Sequence, residues 1–150
     1  SMRFVGVDAN PFIVNYARER CKDYPEIQVE VHNVLSPEFQ QQQFDIIHSS
    51  LFTHHFDEET LAQLVGSFQQ QARLGWVIND LHRHWLAYYG ILILTRLFSK
   101  SEMVRFDAVV SVARGFKRRE WQALFQKLSL KPIPIRWRWA FRWKIVYPTT

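Results

Sequence analysis

The sequence predicts a doubly wound α/β fold with a mostly parallel sheet and an antiparallel hairpin at its C-terminal end. Two observations carry this reading. Short apolar runs alternate with amphipathic helical patterns from Phe4 to Leu128, the order expected of βαβ units. From Ile135 to Ile145, aromatic and aliphatic residues then alternate with Arg and Lys at a period of two, which is a strand pattern with no helix between its halves.

The elements follow in chain order. Phe4-Val5-Gly6-Val7 is an apolar run stopping at Asp8, and Asn10-Pro11 supplies an N-cap and a first-turn proline for a helix that ends near Asp23 and Pro25. Ile27, Val29 and Val31 alternate with Gln28, Glu30 and His32 as a second strand. A polar connection over 36–43 leads to a third strand, Phe44 to His48. Asp57 opens a helix carrying Leu61, Leu64, Val65 and Phe68 on one face. Trp76-Val77-Ile78 is a fourth strand, ending at Asn79-Asp80. The apolar stretch from Trp85 to Phe98 reads as a helix buried on most sides, with a membrane-surface helix or a dimer face as alternatives. The segment from Ser101 to Gly115 lacks a core pattern and is expected to be a lid. Trp121, Leu124, Phe125 and Leu128 mark a last amphipathic helix. In the hairpin, rings are expected to face the core and charges water, which favours a solvated basic face over a nucleic-acid surface.

Length and composition bound the function. A chain of 150 residues with 47% hydrophobic content supports one domain, 1–150, with a single core. The lone Cys21 excludes an intramolecular disulfide and a cysteine-rich metal centre. Ser1 to Phe4 lack the features of a secretory leader, so cytoplasm is the expected compartment. The longest nearly uncharged stretch, Trp85 to Thr95, is shorter than the ~20 residues of a membrane span, so no membrane association is expected. Ten of the 19 Lys and Arg lie between Arg114 and Lys144, where Glu120 is the sole acid, and this end of the chain will attract anions.

Ligands of such sheets bind outside the carboxyl ends of the strands. That directs attention to Asp8, Asn33, His48-Ser49-Ser50 and Asp80-Leu81-His82. Asp8, between a strand and a helix, stands where a carboxylate accepts both hydroxyls of a ribose, and equally where an acid favours a helix dipole.

Val5-Gly6-Val7-Asp8-Ala9-Asn10-Pro11, Phe44 to Ile47 followed by Leu51-Phe52-Thr53-His54-His55-Phe56, and Gly75 to Leu81 resemble, in order and spacing, successive motifs of class I S-adenosylmethionine-dependent methyltransferases. The stretch from Asp80 through Phe116 is similar to small-molecule members of that family. The resemblance implies a Rossmann-like fold and S-adenosylmethionine as cofactor. It implies that Asp8 holds the ribose, that Ala9, Asn33 and Val34 border the adenine, and that His48 and Ser49 lie beside the methionine part. Asn33 stands where relatives often have Asp, and an amide still serves the adenine amine. The family's glycine-rich turn precedes the ribose acid by roughly twenty residues, whereas seven residues precede Asp8 here. The expectation is a domain with its first strand and helix missing. The strands at Phe4 and Phe44 would then pair directly or be completed by another chain, such as a second copy in a homodimer.

Removing a proton from a methyl acceptor calls for a general base. His54 and His55 are read as structural, and His82 and His84, after the fourth strand, as the catalytic candidates. No metal is expected, because His82-Arg83-His84 sends its two rings to different faces. The implied activity is methyl transfer to oxygen or carbon of a small-molecule substrate. The alternatives are a non-catalytic remnant or subunit that needs a partner, and an RNA methyltransferase or RNA-binding module.

Overall fold

A computed structural model describes residues 2–149, which fall into two compact units divided after Gln42. The first holds β1 (Phe4–Asp8), α1 (Pro11–Cys21), β2 (Ile27–Val31) and α2 (Pro37–Gln40). β1 and β2 pair in parallel, Asp8 opposite Val31. α1 starts where the sequence places it: the Asn10 side chain accepts from the Phe12 N–H at 2.9 Å, with Pro11 in the first turn. Val14 turns inward from α1, and Arg18 ties the helix to β2 by donating to the Val29 carbonyl at 2.7 Å. α2, expected as plain connection, is one turn of helix because Ser36 caps it and Phe39 is buried.

The second unit holds β3 (Phe44–Ser50), α3 (Glu58–Gln71), β4 (Ala72–Leu81), α4 (Trp85–Phe98), α5 (Glu102–Arg114), α6 (Arg118–Lys127), β5 (Ile135–Arg138) and β6 (Arg142–Pro148). Its sheet runs β3-β4-β6-β5, with β3 and β4 parallel and β6 antiparallel to both β4 and β5. Asp57 caps α3 by accepting from the Thr60 N–H at 2.8 Å, and Leu61, Leu64, Val65 and Phe68 are buried as the spacing predicts. Of these, Phe68 meets Trp76 of β4 at 6.4 Å, and Trp76 stacks on Tyr147 of β6 at 5.1 Å and neighbours Phe125 of α6 at 6.2 Å. Leu64, Trp76, Ile78, Trp121 and Ile145 are the fully enclosed heart of this core. β4 and β6 approach closely at Gly75, where φ is +151° and a Cβ would stand 2.3 Å from the Tyr147 carbonyl oxygen.

The fold is therefore α/β and Rossmann-like, with parallel strands and a C-terminal antiparallel hairpin. Several expectations are corrected. β1 pairs with β2 alone and β3 with β4 alone, so the ends at Phe4 and Phe44 are not joined by direct pairing. α4 is not a core helix: Thr95 is its one buried residue among those described, while Trp85, Leu97 and Phe98 are exposed. The segment after it is the regular helix α5, started by Ser101, whose side chain accepts from the Val104 N–H; it lies against α4 and lends Val112 and Ala113 to the cavity at the end of β4. In the hairpin, Trp143, Ile145 and Tyr147 of β6 face the core, but Trp137 on the edge strand β5 and Trp139 in the turn after it are exposed.

Candidate functional site

At the end of β4 the chain is held from both sides. The His82 N–H donates to the Phe141 carbonyl at 2.8 Å, the Phe116 N–H donates to the Leu81 carbonyl at 3.0 Å, and the Arg83 N–H donates back to the Phe116 carbonyl at 3.2 Å. Trp143 Nε1 also donates to that carbonyl, at 2.8 Å. This clamp depends on Gly115, since a Cβ there would stand 2.8 Å from the Leu81 oxygen and 3.1 Å from the Arg83 nitrogen. The result is a fixed platform of backbone from which His82, Arg83 and His84 project.

Around the platform lies a cavity of about 720 Å³, within the range of small-molecule sites. His82, His84 and Trp85 form one side, Tyr88 and Tyr89 of α4 another, and Trp143 of β6 a third. Arg83, together with Val112 and Ala113 of α5 and with Lys117, Arg118 and Arg119 at the start of α6, completes it. The His82 ring lies 4.4 Å from Trp143 and 5.3 Å from His84, so the two rings share this cavity instead of pointing to different faces as expected, because residues i and i+2 of an extended segment lie on one side. Burial pushes the His82 pKa below the ordinary imidazole value, and the nearby His84, Arg118 and Lys117 push it the same way. His84 Nδ1 accepts from the Leu86 N–H at 3.2 Å and so caps α4. In neutral His84 the proton therefore sits on Nε2.

Asp80, one residue before the end of β4, does not face this cavity. Its carboxylate is fully buried and accepts five hydrogen bonds: from the Thr53 hydroxyl, from His54 Nδ1 at 2.6 Å, and from the backbone N–H groups of Phe52, His54 and Leu81. Burial alone would raise its pKa, but the bonds from His54, Thr53 and Leu81 outweigh it and hold the carboxyl below its ordinary value. His54 is thereby held in the interior, and its ring lies tilted against that of His55, centroids 4.3 Å apart. The turn that delivers Thr53 and His54 starts at Leu51, which takes a left-handed φ of 52°, rare for a bulky residue.

The residues assigned to the cofactor occupy strand ends in each unit. In the first unit Asp8 and Asn33 close adjacent parallel strands, both exposed. Asp8 Oδ1 accepts from the Asn10 N–H at 2.7 Å and Asn33 Oδ1 from the Leu35 N–H at 3.0 Å, which fixes both rotamers and leaves the second Asp8 oxygen and the Asn33 amide group open. Ala9 is exposed and Val34 half-buried beside them. In the second unit His48 is exposed on β3, whereas Ser49 is buried with a hydroxyl that has no hydrogen-bond partner among the described residues. A buried orphan hydroxyl costs about 1–3 kcal/mol, so Ser49 fits a position completed by a polar ligand. Neither His48 nor Ser49 lines the cavity around His82. Sequence reasoning missed Trp85, Tyr89, Lys117 and Arg119 as cavity residues. The run Lys117-Arg118-Arg119 directly after Gly115 was the available signal.

A family model described as a methyltransferase domain matches residues 1–75, half of the chain. No curated protein matches by sequence. Among solved structures, an O-methyltransferase family 2 protein from Planctomyces limnophilus in complex with apigenin superposes with a TM-score of 0.69 at 15% identity, over 99% of this chain and 43% of its own. Magnesium protoporphyrin IX methyltransferase from Synechocystis, with bound SAH, gives a TM-score of 0.63 at 10% identity, over 97% of this chain and 64% of its own. The CurJ carbon methyltransferase gives 0.66 at 12%, over 98% and 41%. The chain thus spans between about two fifths and two thirds of the length of these structures, and at such identities they establish the fold. With the family model covering β1 through α3 and the start of β4, the chain belongs to the methyltransferase domain family, whose methyl donor is S-adenosylmethionine.

Proposed function

We propose that the protein transfers a methyl group from S-adenosylmethionine to an oxygen or carbon of a small molecule seated in the cavity around His82. The observation that carries this reading is a histidine held in the wall of a ligand-sized cavity at the carboxyl end of a sheet strand, in a chain of methyltransferase family. When bound, the donor supplies an electrophilic methyl group. What the chain must add is a grip on the donor and a place for the acceptor's proton. Asp8 has a free carboxylate oxygen for ribose hydroxyls, Ala9, Asn33 and Val34 border the adenine, and His48 and Ser49 serve the donor's amino-acid end. His82, kept neutral at pH 7 by its lowered pKa, takes the proton from the acceptor. His84, with its Nδ1 engaged as a helix cap, presents Nε2–H to orient the acceptor.

The test is calorimetric titration of S-adenosylhomocysteine into the full-length protein and its Asp8→Ala variant. If Asp8 holds the ribose, affinity falls by at least about tenfold, the loss of charge-assisted bonds of roughly 1.5–3 kcal/mol each, while folding stability falls by only about 0.5–1 kcal/mol from the lost turn bond to Asn10. Unchanged affinity would remove the donor reading. For the base, the acid limb of the kcat profile should fall at a pH below the ordinary imidazole value in wild type, and His82→Gln should abolish that limb along with most of kcat.

A further inference from the structure

The cavity around His82 carries a chemical bias that the family assignment leaves open. Its walls are aromatic: Trp85, Tyr88, Tyr89 and Trp143. Its rim is cationic, and no acidic side chain lines it. The cations are not equivalent. Arg83 is neutralised by an ion pair with Glu120, whose other oxygen accepts from the Lys117 N–H at 2.7 Å. Arg118 is committed to the Ile135 carbonyl at 3.0 Å and to the face of Trp143 at 5.5 Å. Lys117 and Arg119 have no ion-pair partner among the described residues. Two uncommitted cations at the mouth of an aromatic cavity favour a ligand that brings a flat ring system and a negative charge together.

We propose that this cavity takes a planar aromatic carboxylate, its rings against the exposed faces of Trp85 and Tyr89 and its carboxylate against Lys117 and Arg119. The proposal names the acceptor class and so rests on reading the cavity as the acceptor site. A neutral ring of the same shape forfeits the charged contacts, and an anion without rings forfeits the stacking. The charge also serves orientation, because anchoring the carboxylate at the α6 end fixes which edge of the ring system faces the histidines.

The experiment is calorimetry on the full-length protein without methyl donor. The probes are 2-naphthoate, its neutral analogue naphthalene-2-carboxamide, and cyclohexanecarboxylate. Naphthoate should bind at least about tenfold more tightly than either. In the double variant Lys117→Gln, Arg119→Gln, both positions being exposed, its advantage over the carboxamide should vanish while the carboxamide's own affinity stays put. Trp85→Ala should weaken naphthoate and carboxamide together. Equal affinities for naphthoate and carboxamide in wild type, no binding of naphthoate, or a double variant that binds naphthoate as wild type does, would each overturn the proposal. Because no donor is present, the result is independent of the Asp8→Ala titration. Naphthoate binding with no Asp8 effect would sink the donor reading alone, and the reverse pattern would sink this one alone.

Discussion

Asp80 places five donors around one carboxylate in the interior, and it joins the end of β4 to the turn at Thr53–His55. Its replacement by Ala leaves those donors without an acceptor, which should cost at least about 3 kcal/mol and lower the melting temperature sharply. The pH dependence has a definite sign. The folded carboxyl titrates below its ordinary value, so its stabilisation is complete above the unfolded value and is lost as pH falls through the folded one. Melts of wild type from neutral to acidic pH should show this loss, and Asp80→Asn should be both less stable at neutral pH and flatter across that range. A variant as stable as wild type would show that the buried network contributes nothing. In the sequence Asp80 stands at a strand end and reads as a residue facing a ligand. Apart from the adjacent Leu81, its partners lie 26 to 28 residues earlier, and a one-dimensional pattern carries no trace of that meeting. His82, two residues on, reads the same way and does reach the cavity, because the clamp between Phe116 and Phe141 turns it there.

At the scale of elements, caps and turns were the legible features. Asn10, Asp57 and the Trp85 to Phe98 boundaries are where the structure has them, because a cap is a local hydrogen bond that needs no distant partner. α5 was not legible, since Met103, Val104 and Phe106 are exposed and leave no one-sided stripe to read. Gly115→Ala should push Phe116 away from Leu81 and Arg83, cost about 1–3 kcal/mol by thermal melt, and weaken naphthoate binding, as the platform under the cavity shifts. A variant that keeps both stability and probe affinity would show that the clamp is not needed. His84→Ala should lose about 1 kcal/mol as the α4 cap disappears, whereas His84→Asn should keep that stability, since Asn caps well. If His84→Asn also keeps full kcat, the imidazole has no part in the reaction beyond capping.

For the molecule as a whole, none of the described helices is long and apolar enough to cross a membrane, yet α4 and α5 leave much hydrocarbon uncovered. Leu97, Phe98, Met103 and Phe106 are each more than 70% exposed, where soluble chains usually show scattered single apolar residues. The helical pattern from Trp85 to Phe98 suggested burial because a helix apolar all round normally has neighbours on every side, and in this chain α5 supplies only one. That uncovered hydrocarbon changes what a thermal melt of the protein looks like. Fluorescent dyes that light up on hydrocarbon will bind the native protein before any heating, so a dye-monitored melt will begin from a bright baseline and its transition will be shallow or inverted. Circular dichroism, blind to that surface, will report the same unfolding as an ordinary sigmoid, and replacing Leu97 and Phe98 by Gln should darken the dye baseline while leaving the dichroism curve in place.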